Sequence, residues 1–166
     1  MSSRFFTNKE DNSLLKKFTG VFKHQNIHYF DALVGYFRAS GYFKIRPLID
    51  DVPEIRILVG INVDNLINEA QKKGQLYLEN TTTTKEKYLE FITKDIAKAN
   101  YDEETEKGII QFIDDIINEK VVVRAYGKRN LHAKVYIFRP EPFNEHTTGS
   151  VITGSSNLTK AGIGFD

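Results

Sequence analysis

The chain is constrained most by how its apolar residues change period, from dense strand-like runs to helical stripes and back again. Ile27 to Phe37 (IHYFDALVGYF) is rich in aromatic and β-branched residues and reads as a buried strand, with Gly35 marking its end or a close approach of backbone. Glu54 to Ile61 (EIRILVGI) has the composition of an interior strand, and Asn62 and Asp64 open a helix over roughly 64–73. From Lys85 to Lys120 the period is helical in two pieces: Tyr88, Phe91, Ile92 and Ile96 form one stripe, and Ile109, Ile110, Phe112, Ile113, Ile116 and Ile117 the other. Asn100 to Glu104 separates them. Strand-like runs then return as VVVRAY from Val121, LHAKVYIF from Leu131 and SVIT from Ser150. Strand, helix and strand in alternation predict an α/β fold.

The remaining segments are read around that frame. Residues 1–13 are polar, and LLKKFTGVFKH from Leu14 has helical spacing that Gly20 weakens. Ser40 is placed to cap a short helix that Pro47 interrupts or bends. Residues 74–84, with threonines at Thr81 to Thr84, read as a linker or a helix entry. Val121 to Phe138 resembles a hairpin turning at Gly127 to Asn130.

Length sets one domain over residues 1–166, since 166 residues suffice for one sizeable core and not for two ordinary ones. A net charge of +1 provides no global basic field, so nucleic-acid affinity would have to come from a local patch. There is no cysteine, which rules out disulfides and thiolate metal sites. No apolar run approaches the roughly 18 residues of a membrane span, and the N-terminus lacks a signal core; the expected location is cytoplasmic, with no membrane partner.

Chemistry concentrates between Leu131 and Gly162. In an extended strand, side chains two apart share a face, which would put His132, Lys134, Tyr136 and Phe138 together and His132 about 7 Å from Lys134. An imidazole and an ammonium at that spacing suit a phosphate, one meeting phosphorus and the other neutralising its oxygens. About 20 residues on, Gly154 permits close approach of an anion, Ser155 and Ser156 offer hydroxyls, and Asn157 offers an amide. A helix opening there would add free N–H groups. The plainer readings are an ordinary strand histidine and a Ser-Ser-Asn helix cap.

Taken together, HAKVYIF and TGSSNLTKAGI resemble the HKD motif of the phospholipase D superfamily: His, one residue, Lys, the rest of a strand, then Gly-Ser-x-Asn. The stretch DALVGYFRASGYFKIRPLID with EIRILVG is similar to the N-terminal phospholipase D-like domain of bacterial helicase-related proteins and some restriction endonucleases, and that resemblance implies a mixed β-sheet flanked by helices. The resemblance implies metal-independent phosphodiester cleavage with no cofactor: His132 as nucleophile forming a phosphohistidine, and Lys134, Asn157 and Ser155 holding the phosphoryl oxygens. Gly154, Ser156, Lys128 and Arg129 would contact substrate. A second histidine must protonate the leaving oxygen, so the resemblance implies a homodimer or a second motif in a longer protein.

One position departs from the pattern. The family's Asp, five residues after the Lys, falls on Arg139, with Glu141 and Glu145 nearby, and the chain stops at Asp166 close to where one branch places a Glu. That stop suggests an N-terminal fragment of a longer protein. The expected partner is DNA, through its phosphodiester backbone, in a helicase- or restriction-type protein; the alternative is a non-catalytic nucleic-acid-binding or dimerisation module that keeps the fold. A lipid phosphodiesterase is disfavoured, because no amphipathic membrane-docking segment stands out. Elsewhere, His24 and His28 have the spacing of metal ligands on a helix but lack a carboxylate companion. His146, Asp114, Asp115 and Asp102 to Glu104 read as solvated surface, and Arg38, Arg124 and Lys160 as charges able to attract a phosphate backbone.

Overall fold

The computed structural model describes residues 12–63, 65–79, 84–97, 102–126, 131–159 and 161–164. In chain order they form α1 (Leu14–His24), β1 (Tyr29–Phe37), α2 (Ala39–Ile45) and β2 (Glu54–Val63), then α3 (Asn65–Glu79), α4 (Lys85–Ala97) and α5 (Glu103–Ile117). The strands β3 (Val121–Ala125), β4 (Lys134–Arg139) and β5 (Ser150–Thr153) follow, with 3₁₀ turns at Arg46–Leu48 and Ala161–Ile163. The strands make one mixed sheet in the order β3-β2-β1-β4-β5. β1 runs parallel to β2, and β2 to β3, through helical crossovers; β4 is antiparallel to β1 and β5 to β4.

The register sorts side chains onto two unlike faces. Phe30, Ala32 and Val34 of β1 align with Ile55, Ile57 and Val59 of β2, and Phe30 and Ala32 with Phe138 and Tyr136 of β4; all of these are buried. Against them pack Phe18 and Phe22 of α1, edge-on to Phe30 and Phe138, and Phe112 of α5, edge-on to Phe37 and Tyr42. Each fully buried ring or branched side chain contributes roughly 1.5–3 kcal/mol, so this face holds the fold. The opposite face carries Asp31, Leu33, Arg56, Leu58, Val122, Arg124, Val135, Ile137 and Val151 on the alternate positions, half-buried or exposed apart from Asp31.

Several local expectations are corrected. β3 and β4 are not a hairpin: β2 and β1 lie between them, because β1, β2 and β3 wind in one direction and β4 must add at the other edge. The turn assigned to that hairpin, residues 127–130, lies outside the described residues. Ser40 is not a cap, for α2 starts at Ala39 with Arg38 before it; Pro47 instead sits in the 3₁₀ turn. The linker begins later than expected, since α3 runs on to Glu79 and Gly74 lets Ile116 of α5 close on it. Residues 80–83 lie outside the described residues. Asp102, read from the sequence as solvated surface, is exposed and also caps α5, accepting the Thr105 N–H at 2.9 Å.

Asp115 is not surface. It is 1% exposed, and its carboxylate accepts from Tyr42 Oη at 2.5 Å, Arg46 Nε at 2.7 Å, Arg46 Nη2 at 2.9 Å and Gln111 Nε2 at 3.1 Å. The cluster ties α2 and the turn after it to α5, and burial beside this carboxylate pushes the Tyr42 phenol well above its ordinary value.

Candidate active site

β1, β2, β3 and β5 all end, and β4 begins, at one edge of the sheet, where α/β folds commonly collect functional groups. Two glycines shape this edge. The β1–β2 pairing slips between Val34 and Tyr36, so β2 spends one more residue than β1 over the same span. At the slip, a Cβ on Gly35 would stand 2.8 Å from the Leu131 carbonyl oxygen, and one on Gly60 would stand 2.8 Å from the Gly35 oxygen and 3.1 Å from that of Leu131. The Leu131 carbonyl therefore rests in a notch that only glycine leaves open.

That notch fixes where the polar groups converge. The same point over Gly35 lies 3.5 Å from Asn157 Oδ1 and 3.7 Å from Lys134 Nζ. Asn157 Oδ1 accepts the Tyr36 N–H at 3.1 Å, which orients the amide and leaves Nδ2 as the end that can donate. Lys134 Nζ donates to the His132 carbonyl at 2.9 Å. Among the described residues no carboxylate pairs with Lys134.

The segment bearing Asn157 is held without being helical. Leu158 is fully buried and bridges Phe37 in parallel; its carbonyl accepts the Arg38 N–H at 3.1 Å. The Tyr136 hydroxyl donates to the Ser156 carbonyl at 2.7 Å, and Gly154 N–H continues the ladder to Lys134 O at 3.2 Å. Burial of that phenol pushes the Tyr136 hydroxyl well above its ordinary value, so it stays a donor.

Of the residues singled out in the sequence, the structure brings Lys134 and Asn157 together and places His132 beside them through its carbonyl. Two details differ from expectation. β4 starts at Lys134, so His132 stands before the strand and is exposed rather than sharing a strand face with Lys134; the notch at Gly35 and Gly60 captures Leu131 instead of letting the ladder continue. No helix opens at Gly154: the segment is irregular, and the described turn after it is the 3₁₀ turn Ala161–Ile163, closed by the Thr159 hydroxyl accepting Gly162 N–H at 3.0 Å. Gly154 and Ser155 are exposed and Ser156 is buried. Lys128, Arg129 and Lys160 lie outside the described residues.

Arg139, at the position of the missing acid, has a structural occupation. Its guanidinium reaches Asp31 Oδ2 at 3.1 Å and lies 4.6 Å from the centre of the Tyr29 ring. Arg56 holds the same carboxylate from the other side, at 2.5 and 2.9 Å. Partial burial raises the Asp31 carboxyl, yet the bonds and charges of Arg56 and Arg139 outweigh it and hold the group below its ordinary value. Of the two nearby acids, Glu141 accepts from the Tyr29 hydroxyl at 2.7 Å and pairs with His28 at 3.1 Å, while Glu145 is exposed beside His146. His28 has left the helix that carries His24, so the helical metal spacing does not apply.

What the sequence overlooked was the part played by Tyr36, whose backbone orients Asn157, and the partnership of Asp31. A lone acid inside the apolar run IHYFDALVGYF is the signal for the second, because a buried carboxylate requires partners. No protein-family model matches the chain, and no curated protein matches it.

Proposed function

We propose that this chain is a phosphodiesterase domain of nuclease type that cleaves DNA through a phosphohistidine, with His132 as nucleophile. The reading rests on one observation: Lys134 Nζ and Asn157 converge over Gly35 beside exposed His132, at the sheet edge where strand ends meet. Lys134 neutralises one non-bridging oxygen and Asn157 Nδ2 donates to another, so the negative charge building on the phosphoryl group is met by donors already in place. An imidazole nitrogen of His132 attacks phosphorus as the bond to the leaving oxygen breaks, and that oxygen takes a proton from a second histidine. Water then attacks phosphorus and gives a proton to the second histidine as the P–N bond breaks, which restores both histidines. One copy supplies only one such histidine, so the proposal includes a twofold dimer with the two His132 side chains flanking one phosphate.

Plasmid DNA incubated with the chain in EDTA tests this. Nicking that disappears in His132→Ala supports it; nicking that persists in His132→Ala, or needs a divalent metal, removes it. A second reading has its own observation. Arg139 occupies the acid's place and is engaged with Asp31, which suits a module that binds nucleic acid without cutting it. DNA retention by a chain that never nicks would favour that module.

A further inference from the structure

The sheet face opposite the aromatic core carries a pattern that the edge site does not use. Alternation along the strands and the register between them lay its side chains out in rows. In the row nearest the site edge, Leu58, Leu33 and Val135 stand side by side on β2, β1 and β4. In the next, Val122 of β3, Arg56, Asp31, Ile137 and Val151 of β5 follow in order. In the third, Glu54 of β2 and Arg139 of β4 flank Tyr29 of β1. Val122 and Val151, at the two ends of the middle row, are 40% and 62% exposed.

Charge on this face balances. Arg56, Arg124 and Arg139 stand with Asp31, Glu54 and Glu141, so there is no net field for a polyanion. The Arg56–Asp31 pair in the middle of the face equally disfavours an acyl chain. A surface of aliphatic rows and matched charges is complementary to another of the same make, and a second copy supplies one. Five strands about 4.8 Å apart, with three rows about 7 Å apart, present a patch of about 500 Å². Patches of that size mark interaction sites, and two of them together reach the roughly 1,000 Å² at which a specific interface begins.

We infer that this face joins two copies of the chain, sheet on sheet, about a twofold axis that runs along β1. β1 is the middle strand, so this axis gives every strand a partner: β2 lies against β4 of the second copy, and β3 against its β5. Leu58 then meets Val135, Val122 meets Val151, and Leu33 meets its own mate. Exposed Glu54 meets Arg139, twice by symmetry. The Asp31 carboxylates meet near the axis, each already answered by Arg56 and Arg139. An axis across the strands would instead lay the aliphatic row of Leu58, Leu33 and Val135 on the row of Glu54, Tyr29 and Arg139. The interface does not rest on the reaction proposed for the edge, although an axis along the strands leaves both Lys134–Asn157 edges at the same end of the pair.

Sedimentation equilibrium of the unsubstituted chain from about 1 to 100 μM reads the pairing, which for an interface this small falls in the micromolar range. Val122→Glu and Val151→Glu each weaken it about tenfold or more, with the urea midpoint of the dilute chain retained, and Glu54→Arg, which sets like charges together, weakens it about tenfold. The chain has no cysteine, so single cysteines report the axis on oxidation. Leu33→Cys cross-links with itself, and Val122→Cys cross-links with Val151→Cys in a mixture far more than either does alone. A chain that stays monomeric at about 100 μM overturns the inference. So does a dimer that Val122→Glu and Val151→Glu leave intact, or one in which Val122→Cys cross-links chiefly with itself. Pairing of the expected kind in a chain that never nicks DNA upholds the interface and removes only the reaction.

Discussion

The Asp115 cluster and the Lys134–Asn157 edge both gather polar donors around one point, and they differ in what fills it. Inside the fold, a phenol, a guanidinium and a carboxamide converge on the protein's own carboxylate. At the sheet edge an ammonium and a carboxamide converge over a glycine, and among the described residues no carboxylate completes them. A third cluster sits between these extremes on the sheet face opposite the aromatic core, where Asp31 answers both Arg56 and Arg139 in partial solvent. Where the chain supplies its own anion the cluster is architecture; where it withholds one, the donors remain for an anion from outside.

The comparison is most exposed at its closed end. Asp115→Ala strands a buried guanidinium and a phenol, and urea denaturation should show a loss of about 3–5 kcal/mol. A much smaller loss would mean that Arg46 escapes to solvent and that the cluster is not closed. At the open end, Lys134→Ala should lower the nicking rate about 10²–10³-fold with the urea midpoint nearly unchanged, since it removes a charge-stabilising donor and no ion pair. A variant that loses stability instead of rate would reclassify Lys134 as architecture.

Gly35→Ala tests the notch that joins the two halves of the edge. Its Cβ would meet the Leu131 carbonyl at 2.8 Å, so the start of β4 must shift, at about 1–3 kcal/mol in stability and with a fall in kcat larger than any change in KM. Unchanged kinetics would show that the edge tolerates displacement. The smallest effect belongs to Asp31→Asn, at no more than about 1 kcal/mol near neutral pH, because Arg56 is more than half exposed and solvent screens the pair. Its pH dependence carries the sign. The folded carboxyl titrates below its ordinary 3.8, so its stabilisation is complete above that value and is lost as pH falls through the lower folded one. The difference between Asp31→Asn and the unsubstituted chain in urea midpoint should therefore close on acidification below about pH 4.

The sequence carried the strands and helices well wherever periodicity decided them. β1, β2 and α1 stand within two or three residues of their apolar runs, and α5 ends with its stripe at Ile117, because each run is the buried face itself. Strand order was not legible: VVVRAY and LHAKVYIF are adjacent in sequence, and only the direction of the crossovers separates β3 from β4 by two strands. At the site, Lys134 and Asn157 could be paired by type and spacing, whereas the register slip at Gly35, which moves His132 off the strand, depends on a backbone carbonyl from a distant segment. Asp115 was misread for a similar reason. Its neighbour Asp114 is half-exposed and pairs with Lys85 at 2.9 Å, and the two acids are distinguished only by which one faces Tyr42 and Arg46 across the helix pair.

The central claim is that the open cluster performs chemistry through His132. The most direct measurement mixes the chain in excess with a short oligonucleotide in EDTA, quenches in alkali, and reads intact mass and peptide fragments. The account predicts an acid-labile phosphoryl adduct on His132, absent from His132→Ala. DNA cleavage with no adduct on any histidine, or an adduct on His28 or His146 in place of His132, would contradict it.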